Sequence, residues 1–246
     1  MSRVRNEALV IEDTIKHLES FCDGIVIYDD CSTDNTVFLI KQSAKKLLHL
    51  EEGKLWRPNR VVEETRHRAL LLKMAARYNP QWFFYADADE RFIGEIQSIL
   101  SALPKDIDGI QVQLFDAYLT GEFCSPYIRG DRLENLERLY GIERRDILMA
   151  WRNSKKFHYI GLDAREPVPR RKANIIKADI YCKHFGKAIS IAQWEETCDY
   201  YEKHFPEPYS SKWAERHGKA IHVYSDFGTL LYTWDEVKKY AIPIYP

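Results

Sequence analysis

Gln81-Trp82-Phe83-Phe84-Tyr85-Ala86-Asp87-Ala88-Asp89-Glu90 runs from an aromatic, apolar stretch straight into three carboxylates. The first six residues suit a strand buried on both faces. Two carboxylates two apart, where a strand runs out, present oxygens to a hard cation and to ligand hydroxyls. Mg²⁺ and Mn²⁺ favour such open oxygen sites, commonly completed by substrate phosphates. The competing reading makes Asp89 or Glu90 the cap of a helix starting near Phe92. An upstream stretch has the same form. Gly24-Ile25-Val26-Ile27-Tyr28 is apolar, and Asp29-Asp30-Cys31-Ser32-Thr33-Asp34-Asn35-Thr36 follows it. A carboxylate there can accept from a base N–H or from ribose hydroxyls, although Ser32, Thr33 and Asp34 are also good helix-start residues.

Outward from these two stretches, strands and helices alternate. The spacing of Leu9, Ile11, Ile15, Leu18 and Phe21 predicts an amphipathic helix over 8–20. Further helices are predicted over 37–48, 63–77 and 92–103, and strands over 24–28, 54–56, 81–86 and 109–115. This alternation implies an α/β fold with a mainly parallel sheet, whose ligands sit outside the carboxyl ends of the strands. Both acidic turns lie at such ends, so they are expected to face one crevice. The second half is less regular. Residues 120–175 are rich in charge and read as hairpins and loops, with a strand over 147–151. A strand over 175–181 runs to Lys183-His184-Phe185-Gly186. An aromatic-rich amphipathic helix is predicted over 191–204 and another helix over 234–240.

Bulk properties bound the function. The chain has 246 residues, enough for one large α/β domain, and a formal net charge of -1. That balance gives no field favouring nucleic acid or an anionic membrane. Five scattered cysteines with no CxxC pair argue against a disulfide framework or structural zinc, and for a reducing compartment. No apolar run approaches the roughly 20 residues of a membrane span, and the first residues carry no apolar signal core. The chain therefore reads as soluble and cytoplasmic.

Several other residues carry chemistry. Arg3, Arg5, Arg66 and Arg68 are candidate partners for a diphosphate, because guanidinium forks match phosphate oxygens; each also suits a solvated face. His184, after an apolar strand, could complete a metal site with Asp89, or simply be structural.

Together these features resemble the family-2-type glycosyltransferases. Arg5-Asn6-Glu7 opens a helix as in that family. Tyr28 to Thr36 is similar to its hydrophobic-Asp-Asp-Gly-Ser-Thr-Asp signature, and Asp87-Ala88-Asp89-Glu90 to its DxD motif. Lys183-His184-Phe185-Gly186 and the helix after it resemble the closing segment of many small members. The likeness covers roughly 3–115 well and 147–205 in part. It implies a GT-A fold: a Rossmann-like, mainly parallel sheet flanked by helices, with a mixed acceptor-side region and a C-terminal helical extension. The implied domain is 1–205, with a nucleotide-sugar-binding half (1–115) and an acceptor half (116–205); 206–246 is the extension. By the same resemblance, Asp30 contacts the nucleobase with Arg3 close by, Asp87 contacts the ribose, and Asp89 holds the metal bridging the diphosphate. Arg66 or Arg68 faces the nucleotide or its phosphates, and His184 is a further metal ligand.

Two departures stand out. Cys31 occupies a position where Gly is usual. The implied strand before Arg5-Asn6-Glu7 has only Met1 to Val4 here: it is very short, or its beginning lies outside this chain.

The activity expected is Mn²⁺- or Mg²⁺-dependent, inverting transfer of a sugar from a nucleoside-diphosphate sugar to a glycan or other hydroxylated acceptor, with no nucleic-acid partner. Asp163 is the first candidate base, Glu166 the second, and Asp116 the third. A sugar-phosphate nucleotidylyltransferase is disfavoured because no Gly-rich phosphate loop is present. A non-catalytic nucleotide- or glycan-binding protein is disfavoured by the intact Asp87/Asp89 pair.

Overall fold

A computed structural model describes residues 1–244. The chain forms two compact units. The first comprises residues 1–88, 93–112 and 147–180; the second comprises 89–92, 113–146 and 181–246. The units therefore cut across chain order, and the segment holding Asp163 and Glu166 folds with the N-terminal residues.

The first unit opens with β1 (Ser2–Val4), α1 (Ile11–Glu19), β2 (Ile25–Asp29), α2 (Thr36–Ser43) and β3 (Leu47–Glu52). These strands form a sheet in the order β1-β2-β3, parallel throughout. All five residues of β2 are buried, which is why that strand is apolar end to end. Helix α1 buries Ile11, Thr14, Ile15 and Leu18, one face at helical spacing. Helix α3 (Arg60–Ala75) follows, then β4 (Trp82–Phe84). Residues Val26, Tyr28, Leu71, Met74, Phe83, Tyr85 and Trp151 share one core cluster. Beyond β4 the backbone N–H of Ala86 donates to Met1 O at 3.1 Å, tying the start of the acidic turn to the residue before β1.

Three element expectations fail here. The helix predicted over 37–48 stops at Ser43, and Leu47–Glu52 is a strand, because that segment pairs along β2 (Ile25 opposite Leu47). Residues 54–56 are not a strand. The helix predicted over 92–103 is β5 (Glu90–Ile93) followed by α4 (Ile96–Ala102). Gly94 separates them at φ +136°, where a Cβ would come within 2.7 Å of Asp179 O. A side chain fits neither that conformation nor that space. Neither Asp89 nor Glu90 caps a helix.

Strands β6 (Gly109–Tyr118), β7 (Leu139–Arg152) and β10 (Ile175–His184) each run from one unit into the other. Within the first unit, the short β8 (Phe157–His158) and β9 (Val168–Pro169) pair and close the loop that carries Asp163 and Glu166. In the second unit, α5 (Ile191–His204), α6 (Tyr209–Ala214), β11 (Leu231–Tyr232), α7 (Trp234–Tyr240) and β12 (Ile242–Ile244) follow. The seven-stranded sheet has the order β11-β7-β6-β10-β5, with β4 and β12 also on β7. It is mixed rather than mainly parallel: β4 and β11 run antiparallel to β7, and β12 parallel. Parallel neighbours need a crossover connection, and α1 and α2 supply it only for β1-β2-β3. Tyr201 stacks on Trp213 at 4.6 Å, and Trp194 is 1% exposed, so these aromatics pack the α5–α6 pair. Among the described residues no helix is long and apolar enough to cross a membrane.

Candidate functional site

Asp30 directly follows β2 and is 1% exposed. Arg3 Nη2 donates to its Oδ2 at 2.9 Å, and Arg60 pairs with the same oxygen. Burial pushes the Asp30 carboxyl up, but Arg3 and Arg60 outweigh it and hold it below the usual range. Arg60 is itself fully buried. Expected to line a crevice and, by the resemblance, to contact the nucleobase, Asp30 is the centre of a buried charge cluster. Sequence reading missed Arg60; its signal was one more arginine near Arg66 and Arg68, and nothing in the spacing pointed it at Asp30.

The rest of the acidic turn is held by the residues after β1. Arg5 Nη1 donates to the carbonyls of Asp30 (2.6 Å) and Cys31 (2.8 Å), with its guanidinium 4.9 Å from the Trp56 ring centre. Asn6 Oδ1 accepts from Thr33 N, and Glu7 N donates to Thr36 Oγ1. The acidic turn is therefore clamped against the loop that follows β1. Cys31 has φ +58°, a left-handed conformation that glycine adopts without cost and other residues rarely take.

On α3, His67 stacks on Tyr28 at 4.2 Å and is 1% exposed. Burial lowers its pKa to about 4 despite the Asp30 carboxylate nearby, so it is neutral at pH 7. Arg66 pairs with Glu63. Arg68 is buried, donating from Nε to Tyr85 Oη at 3.1 Å and lying 3.5 Å from Glu64. Tyr85 in turn donates to Asp87 Oδ1 at 2.8 Å, and Arg165 pairs with Asp87 Oδ2. Burial would raise the Asp87 carboxyl, but Arg165 and Arg68 bring it down to about 2. Asp87 is thus a fixed, ionised carboxylate. Its partner Arg165 was not among the sequence candidates.

Asp163 takes φ +49° in a loop docked on α3, where its N–H donates to Val61 O at 2.7 Å and Ala164 N to Thr65 Oγ1 at 2.9 Å. The residue is exposed. Partial desolvation, with Glu64 nearby, raises its carboxyl above the ordinary value. Glu166 is tethered: its Oε2 accepts from Leu148 N.

The second unit holds the other half of the Asp-x-Asp pair. Phe185 N donates to Asp89 O at 2.8 Å, fixing that backbone beside the end of β10. Asp89 Oδ2 lies 3.5 Å from His184 Nε2. A Cβ on Gly186 would fall 2.8 Å from Asp89 Oδ2 and 2.9 Å from His184 Nε2. On the other side of the ring, His184 Nδ1 is 2.6 Å from Asp116 Oδ1. Burial alone would lower the imidazole pKa, but Asp89 and Asp116 raise it to about 9. Asp116 also meets Arg145 at 2.5 Å and Lys187 at 3.5 Å. These cations and His184 overcome its burial and hold it well below the usual carboxylate range.

Asp89 and His184 fit one divalent cation. Ligands at roughly 2.1 Å on adjacent octahedral corners stand about 3 Å apart, somewhat less than the 3.5 Å seen; the carboxylate oxygen suits Mn²⁺ or Mg²⁺, and the imidazole nitrogen suits a transition ion more than Mg²⁺. Among the described residues, one group of three or more such ligands gathers within 4.8 Å, Asp199, Glu202 and His217. It lies on the surface of α5 and the turn after α6.

No protein-family model matches the chain, and no curated protein does. Among solved structures it is similar to TarS of S. aureus. The TarS 1-349 structure is 13% identical, with 86% of this chain and 66% of that one covered and a TM-score of 0.41. The same fragment in complex with UDP-GlcNAc is 13% identical over 89% and 72%, again at 0.41. A further TarS structure is 12% identical over 86% and 40%, at 0.39. The chain thus spans less than two thirds of the first and third of these. Similarity at this level defines neither the fold nor the activity of the chain.

Proposed function

We propose that the chain is a GT-A-type, cation-dependent glycosyltransferase. It moves a sugar from a nucleoside-diphosphate sugar to a hydroxylated acceptor, such as a glycan, with inversion. The observation that carries this reading is the split environment of Asp87-Ala88-Asp89. Asp87 is pinned by Tyr85 and Arg165, whereas Asp89 faces His184 beside a residue with no side chain. One carboxylate is thus held ready to accept donor hydroxyls, and the other is arranged as half of a cation site. Asp89 and His184 would hold Mn²⁺ or Mg²⁺, whose charge, when bound, stabilises the departing nucleoside diphosphate.

The chain's own residues account for the remaining steps. Asp87, ionised and oriented, accepts from ribose hydroxyls. Arg3 and Asp30 stand for the base-proximal end, and Arg66, more exposed than Arg60 and Arg68 on the same helix, for the phosphates. Asp163 takes the acceptor hydroxyl proton as that oxygen bonds to the anomeric carbon and the bond to the diphosphate breaks. Its exposure and raised basicity support that role. Glu166 is read as the loop's anchor, because its carboxylate already holds Leu148 N. The test is isothermal calorimetry with UDP, GDP and TDP, with and without Mn²⁺, beside a donor-hydrolysis assay. Mn²⁺-dependent binding of one nucleotide and slow hydrolysis of its sugar conjugate are expected. Binding with no turnover on any donor would support a nucleotide-binding protein instead.

A further inference from the structure

His184 has two ring nitrogens, and only one can face Asp89. What the other touches decides whether the imidazole is a fixed ligand or a ring free to turn. Nδ1 lies 2.6 Å from Asp116 Oδ1, much closer than the 3.5 Å between Nε2 and Asp89. Asp116 comes from β6 and His184 from β10, which are neighbours in the sheet. We infer that Asp116 is a positioning residue: it holds the His184 ring by Nδ1 so that Nε2, rather than Nδ1, is turned toward Asp89. This inference rests on the reading of Asp89 and His184 as cation ligands, and adds to it a residue that does not itself touch the cation.

Three observations support it. First, Asp116 is itself immobilised: Arg145 Nη2 meets Oδ1 at 2.5 Å and Lys187 Nζ meets Oδ2 at 3.5 Å. Lys187 is anchored in turn on Asp226 at 2.5 Å, and Asp226 on Arg216 at 3.0 Å. These ion pairs link Arg216, Asp226 and Lys187 to Asp116 and, through it, to the ring. Second, both Asp116 oxygens face cations or the imidazole, and the closest side-chain nitrogens to Oδ1 are Arg145 Nη2 at 2.5 Å and His184 Nδ1 at 2.6 Å. Third, Gly186 leaves no side chain beside Nε2 and Asp89 Oδ2, so the ring is buttressed at Nδ1 and clear at Nε2. A hydrogen-bonded carboxylate behind a ligating histidine fixes tautomer and ring orientation, and removing it typically costs metal affinity.

The test is Mn²⁺ calorimetry on nucleotide-free protein for wild type, Asp116→Asn, Asp89→Ala and His184→Ala, with thermal unfolding for each. The amide keeps the shape of Asp116 but loses its charge and can turn its NH₂ toward Nδ1. Asp116→Asn is expected to bind Mn²⁺ about 10–100-fold more weakly. Affinity within threefold of wild type would overturn the inference. If Asp89→Ala and His184→Ala keep wild-type affinity, the cation reading itself falls. If they lose it while Asp116→Asn keeps it, only the role of Asp116 falls. A measurement on wild type alone covers the case where Asp116→Asn does not fold. In ¹⁵N-histidine spectra, trace Mn²⁺ should broaden Nε2 of His184 before Nδ1. Nδ1 broadening first would reverse the assigned orientation and refute the inference.

Discussion

Replacing Asp30 with alanine tests whether the acidic turn after β2 is a binding edge or a buried electrostatic keystone. The carboxylate is 1% exposed, Arg60 has no exposure, and Arg3 retains 12%. Asp30→Ala leaves Arg60 as a buried guanidinium without its main counter-charge. Breaking a buried pair from one side costs about 3–5 kcal/mol. That is a large share of the roughly 5–15 kcal/mol that holds a domain together. For a chain of this length, it corresponds to a fall in melting temperature of roughly 10 °C. The assay is urea unfolding at pH 7 with calorimetric melting, on Asp30→Ala and on the double variant Asp30→Leu/Arg60→Met. The double variant should recover most of the loss, since an apolar pair of similar size removes both buried charges. A loss below about 1 kcal/mol for Asp30→Ala, or no recovery in the double variant, would refute the buried-pair account. Nucleotide affinity of Asp30→Ala is meaningful only where the variant is still folded.

Three further outcomes follow from the same geometry. Burial takes the His67 pKa down to about 4, below an unfolded value of about 6.5, so the unfolded chain binds more protons between them. Stability should therefore drop as pH falls from about 6.5 to 4, by up to about 3 kcal/mol; His67→Phe should flatten that slope in urea titrations, and an unchanged slope would assign the acid sensitivity elsewhere. Asp163→Asn should lower kcat by roughly 10²–10⁴-fold while the nucleotide Kd stays put, whereas Glu166→Gln should cost about 1 kcal/mol of stability and keep most turnover. The reverse pattern would make Glu166 the base, and full activity in both would move the search to other carboxylates. Gly186→Ala pushes a methyl toward Asp89 Oδ2 and His184 Nε2 and should weaken Mn²⁺ binding without changing the circular dichroism; unaltered Mn²⁺ affinity would put the cation elsewhere.

The parts of this fold legible in the sequence are those set by local periodicity. The buried strand at β2, the α5 helix over 191–204 and α7 over 234–240 were all readable, the last two with the observed bounds. The β3 strand was not, because Leu47–Glu52 carries an apolar pattern that also continues a helix, and only pairing with β2 decides between them. The site divides in the same way. Residue types and the Asp-x-Asp spacing single out Asp30, Asp87 and Asp89. Their partners are 30 residues away (Arg60), 78 (Arg165) and, for the neighbouring His184–Asp116 pair, 68. No spacing rule reaches that far. Asp30 and Asp116 owe their character to those partners, so burial and pairing could be seen only once the chain was folded.

Asp89 is proposed to hold a cation needed for binding a nucleoside-diphosphate sugar. The most direct measurement is calorimetric binding of the nucleoside diphosphate that wild type accepts, in Mn²⁺ and in EDTA, for wild type and Asp89→Ala, with donor turnover measured on the same samples. Wild type should bind with Mn²⁺ and much more weakly in EDTA. Asp89→Ala should give the weak value in both, with transfer abolished. Equal affinity with and without Mn²⁺ in wild type, or normal turnover in Asp89→Ala, would contradict the account.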